Sequence, residues 1–173
     1  QYYVSAETKV ASMAPIAVDA VVPPPIRIED GRDWTYVQND SLKMPVYEQF
    51  RTDLSKPNPK FSYEVVFTVT FKEKREPGSF ITSETECLEA FEKYLCSEIE
   101  KPGEGVIAAV LLEGGKGRLV FYTSSDLKEK LPTLLKNAPV TSIVNTSVKK
   151  DPEWTMFMDV RKRHSDRSNA IVK

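Results

Sequence analysis

From Tyr63 to Phe71 the chain alternates: Tyr63, Val65, Phe67, Val69 and Phe71 hold the odd positions and mostly polar residues the even ones. Period-two alternation predicts a β-strand with one face in the core and the other largely wet. Beyond it the period lengthens. Leu88, Phe91, Leu95 and Ile99 recur at intervals of three and four, the apolar stripe of an amphipathic helix laid on a sheet. Ser83 and Glu86 have the spacing of a capping box at its start, Glu89 and Lys93 form an exposed ion-pair spacing, and Pro102-Gly103 stops it.

Two strands are predicted next, Val106–Leu112 and Arg118–Thr123, joined by Glu113-Gly114-Gly115-Lys116-Gly117, whose glycines supply the positive φ of a hairpin. The near-continuous apolar run of the first predicts a strand covered on both faces. Leu127, Leu131, Leu134 and Leu135 predict a second helix, capped by Ser124 or Ser125 and kept short or irregular by Pro132. Val140–Val148 reads as a strand, Asp151-Pro152 as a turn, and Trp154–Val160 as a closing strand. Upstream, Trp34, Tyr36 and Val37, then Val46, Tyr47 and Phe50, predict a hairpin or a strand leading into a helical turn at Arg51–Leu54. Lys56-Pro57-Asn58-Pro59 ends that segment.

This order predicts one α+β domain at residues 33–160: a ferredoxin-like antiparallel sheet with two helices on one face and additional N-terminal and C-terminal strands. Another α+β sandwich is the alternative. Residues 1–32, with Pro23-Pro24-Pro25, read as an extended Pro-rich arm, and residues 161–173 as a solvated basic tail holding Arg161, Lys162, Arg163 and Arg167.

Composition changes this picture little. With 40 % hydrophobic and 28 % charged residues over 173 positions, one ordinary domain is expected. Because 24 basic side chains face 25 acidic ones, no field of the kind that gathers nucleic acid arises, and the Glu-rich helix would repel a phosphate backbone. No apolar run is long enough to span a bilayer, so the chain reads as soluble. The start at Gln1 implies removal of something upstream, either a signal peptide or added residues. A cytoplasmic home is expected, with a periplasmic or exported one as the alternative. Cys87 and Cys96 fall on opposite flanks of one helix and cannot bridge each other, and free thiols favour a reducing compartment.

Candidate chemistry is sparse. The single histidine, His164, lies in the basic tail, so no Ser-His-Asp or Cys-His set can be built on a rigid element. Two separated cysteines and one histidine do not make a zinc site, and Glu29, Asp30 and Asp33 lack the ligand repeat of a calcium loop. Gly114-Gly115-Lys116-Gly117 lies between strands, whereas a phosphate-binding loop joins a strand to a helix. The run Lys116–Tyr122 has the position of an RNA-recognition strand, but the rings of the first strand point at the helices, leaving bases nothing to stack on. No catalytic, cofactor-binding or metal residue is therefore assigned, and no cofactor.

What remains is surface recognition. Val66, Val120 and Tyr122 fall on the sheet face away from the helices, and either the N-terminal strands cover them or part of the area binds a partner protein. The candidate partner-binding residues are Trp34, Tyr36, Arg118, Tyr122, Trp154 and Phe157. The competing expectation is an enzyme with a dispersed site, gathering Arg118, Tyr122 and either Asp151 or Glu153 around a cleft.

Several of these residues carry a likeness. Trp34, the Pro77-Gly78 turn, the Glu-rich helix, Gly117-Arg118-Leu119-Val120-Phe121-Tyr122 and Asp151-Pro152-Glu153-Trp154 together resemble a bacterial family of unknown function, number six hundred and ninety-five. In its second half that family is similar to the regulator of ribonuclease E activity B, which acts by binding a ribonuclease. The family resemblance implies no activity, cofactor or catalytic residue; a noncatalytic, protein-binding or regulatory role is expected because no acid-base-nucleophile set can be assembled from the sequence. The basic terminus departs from the acidic tract of that regulator.

Overall fold

The computed structural model describes residues 2–6, 33–39, 46–71, 82–113, 115–140 and 142–171. Among the described residues seven strands form one antiparallel sheet: β1 (Tyr2–Ala6), β2 (Trp34–Asn39), β3 (Val46–Arg51), β4 (Tyr63–Thr70), β5 (Gly105–Glu113), β6 (Lys116–Thr123) and β7 (Ile143–Lys150). Their spatial order is β1-β7-β4-β6-β5-β3-β2. Helix α1 (Thr82–Ile99) carries the chain from β4 past β6 to β5, and α2 (Leu131–Lys136) carries it from β6 past β4 to β7. The third helix, α3 (Thr155–Ile171), follows β7. The fold is α+β.

The alternation of β4 has the expected consequence on one side. Val65, Phe67 and Val69 join Leu88, Phe91, Leu95 and Ile99 of α1 and the leucines of α2 in a single buried cluster. Phe67 sits edge-on to both Phe91 and Phe121, at 5.9 and 5.8 Å. Contact between α1 and β6 depends on Gly117: a Cβ there would lie 2.8 Å from the Leu88 side chain. β5 runs to Glu113 and β6 starts at Lys116, closer together than expected, with Gly115 at φ 77°. Helix α2 is short as expected. It starts later than Ser124 and Ser125 allow, however, with Lys130 as its N-cap and Pro132 in the first turn.

The other face departs from expectation. The closing segment is not a strand: Trp154, Phe157 and Val160 head a helix, and with Phe50, Val66, Ala108, Ala109, Leu111, Val120 and Tyr122 they make a second buried cluster. Spacing explains this, since residues three apart share one side of a helix but fall on opposite sides of a strand. The Asp151 carboxylate fixes the start by accepting the backbone N–H and the hydroxyl of Thr155 at 2.8 and 2.9 Å. Residues 161–171 continue α3, with Lys162, Arg163 and Ser165 exposed. Arg161 donates to the carbonyls of Thr52 and Leu54, Arg163 pairs with Glu48, and His164 lies edge-on to Phe50 at 5.4 Å. Thus α3, and not the N-terminal strands, covers Val66, Val120 and Tyr122.

The N-terminal strands extend the sheet at its two ends. β2 and β3 form the hairpin form of the expected segment and join at β5. Within the stretch expected as an arm, Tyr2–Ala6 pairs with β7, and the Tyr2 hydroxyl donates to the Asp126 carbonyl. The triple proline, the Glu29-Asp30-Gly31 turn and Pro77-Gly78 lie outside the described residues.

Candidate functional site

The α3 side of the sheet holds the polar residues nearest to a constellation. Register places Lys149, Glu64 and Tyr122 side by side on β7, β4 and β6. Glu64 is 3 % exposed, with Lys149 Nζ at 3.4 Å and the Tyr122 hydroxyl donating to its carboxylate at 3.4 Å. The same hydroxyl accepts the backbone N–H of Phe157 at 3.4 Å. Above it the Trp154 indole stacks flat on the Tyr122 ring, 4.3 Å between centroids, and donates Nε1–H to the Phe61 carbonyl at 2.7 Å.

Burial dominates the electrostatics here. It pushes the Glu64 carboxyl above the usual carboxylate range, with Lys149 pulling back down and Asp151 adding to the rise. Burial, then the charge of Glu64, also raises the Tyr122 hydroxyl. A carboxyl, a phenol and an amine in a row would suit proton transfer, but Trp154 and Phe157 are completely buried above Tyr122. The row ties α3 to the sheet.

The candidates read from sequence separate into groups. Tyr122, Trp154 and Phe157 are interior side chains with no surface to offer a partner. Trp34 is half-buried against the α1-side core, and Tyr36 stands on the outermost strand opposite Gln49. Arg118 is half-buried, four residues before Tyr122 on β6, hence about 13 Å away along the strand. Asp151 lies near Tyr122, whereas Glu153 is exposed, so the dispersed catalytic set is not brought to one place. Sequence reasoning missed Glu64, which it placed on a wet face. The signal was the three-residue spacing from Trp154 to Val160, which supplies a cover for the even side of β4.

Beyond the reach of Trp154 and Phe157 the same face is more accessible. Thr68, Arg118 and Asn145 lie in one row and Thr70 and Lys116 in the next, with Asn145 and Lys116 exposed and the others half-buried. On the opposite side, a groove of about 580 Å³ between α1 and α2 is lined by Tyr94, Glu98, Lys101, Leu127, Lys130 and Leu134. Cys87 and Cys96 are half-buried on α1 and are not joined in a disulfide. Among the described residues no group of three or more His, Cys, Asp or Glu is placed to hold a metal ion. No described helix is long and apolar enough to cross a membrane.

A family model for proteins of unknown function, DUF695, matches residues 33–160. The chain belongs to the DUF695 family. The match spans β2 to the first turn and a half of α3, so the DUF695 domain includes both buried clusters, with Trp154, Phe157 and Val160 inside its limit. No curated protein and no solved structure matches the chain, and the likeness to the ribonuclease regulator gains no support from them.

Proposed function

We propose that this DUF695 domain works by binding another protein and not by catalysis. One observation carries the reading: Trp154 and Phe157 bury Tyr122 and Glu64 and leave only Lys149 of that row partly exposed, while beside it the row of Thr68, Arg118 and Asn145 stays partly open. Hydroxyls, an amide and the cations Lys116 and Arg118 on a stiff sheet suit an acidic protein surface, bound through hydrogen bonds and charge.

A photo-crosslinking residue at Asn145, with Lys128 as an exposed control position, tests this. The expected result is one foreign protein trapped at 145 and not at 128. Its purified form should bind the domain roughly tenfold more weakly after Lys116→Glu and weaken with added salt. Equal trapping at both positions, or none, overturns the proposal.

A further inference from the structure

The end of the sheet at β2 carries information of its own. Among the described residues no strand lies beyond it. The Thr52 N–H donates to the Asp33 carbonyl at 2.8 Å, and Trp34 is aligned with Arg51. In an antiparallel ladder hydrogen-bonded and non-hydrogen-bonded positions alternate, so Asp33, Thr35, Val37 and Asn39 direct their backbone groups at β3. The N–H and C=O groups of Tyr36 and Gln38 therefore point away from the sheet.

Natural edge strands are blunted by lysine, proline, bulges or inward charges. β2 reads Trp-Thr-Tyr-Val-Gln-Asn, with no charge, proline or glycine, and its register with β3 runs unbroken from Trp34 to Asn39. Such an edge is a template for another strand. We infer that a second copy of this chain occupies it, β2 lying antiparallel to β2 about a twofold axis.

The chemistry of the edge favours the identical strand. An antiparallel pair in one sheet is related by an axis perpendicular to it, so each face continues as the same face, and residues of like parity lie opposite one another. Centred on Val37, this register sets Tyr36 of each copy against Gln38 of the other, and both residues exchange their outward backbone bonds. An uncharged strand meets itself without like-charge repulsion. The isologous contact also closes, leaving no further β2 edge exposed. This dimer goes beyond the binding of a foreign protein and uses the opposite end of the sheet.

Sedimentation equilibrium on the full chain, with hydrogen exchange at low and high protein concentration, tests it. The expected result is a concentration-dependent dimer in which the amides of Tyr36 and Gln38 gain protection. Gln38→Pro deletes an outward donor and spares the bonds to β3, and Val37→Lys sets like charges opposite each other; each should yield a folded monomer. A chain monomeric at every concentration, or a dimer indifferent to both substitutions, overturns the inference. Open-ended oligomers would also do so, since they point to β1 of one copy on β2 of the next. Because Asn145 lies away from β2, loss of the dimer leaves trapping at 145 intact, and the converse holds.

Discussion

The indole of Trp154 lies on the phenol ring of Tyr122 with only 10° between their planes, and this contact joins α3 to the middle strand of the sheet. Trp154 also holds the backbone of Phe61 through its ring N–H, and its own backbone sits at φ 54°. Trp154→Ala removes a large buried side chain and leaves the Phe61 carbonyl without its donor. The loss should be about 3–5 kcal/mol, read from urea unfolding. A loss below about 1 kcal/mol would mean that α3 is held elsewhere.

The Tyr122 hydroxyl stands between the Glu64 carboxylate and the Phe157 N–H. Tyr122→Phe keeps the stacked ring and deletes only that bridge, with a cost of about 1–3 kcal/mol because both former partners stay buried. A double-mutant cycle with Glu64→Gln should be non-additive.

Glu64 sets a pH dependence. Its folded-state pKa is raised above the ordinary 4.5, first by burial. The fold therefore binds this proton more tightly than the unfolded chain does, and the associated stability is present below the ordinary carboxylate pKa and lost as pH rises through the folded value. Relative to Glu64→Gln, the native protein should thus lose stability from the ordinary carboxylate range upward. Thermal melts of both proteins across that range check it, and parallel curves would refute the assignment.

At Gly117 the limit is space. A methyl group there meets two Leu88 methyl carbons at 2.8 and 3.0 Å, so Gly117→Ala should destabilise by about 1–3 kcal/mol. Leu88→Ala in the same chain should make the added methyl harmless. Chemical denaturation of the two single variants and the double variant measures this coupling.

Much of the first layer was legible because its signals are local. Alternation in β4, the stripe of α1 and the glycines of the β5–β6 hairpin each report on neighbours in sequence, and Pro132 foretold the brevity of α2. The second layer was not legible in the same way. Trp154, Phe157 and Val160 are too few to fix a period by eye among the charged residues that follow, and Asp151 is a cap only once Thr155 is helical. Reading that stretch as a strand left the even side of β4 apparently wet, so Glu64 passed as a surface residue and three core rings as a binding patch. The pairing of β1 with β7 joins residues far apart in sequence, which no local pattern announces.

Chain order imposes a timetable on this arrangement. The first hydrophobic layer draws on residues up to β7, but its counterpart waits for Trp154, Phe157 and Val160. A chain stopped short of Trp154 would lack the side chains that cover Val66, Val120 and Tyr122, the kind of apolar surface that chaperones shield.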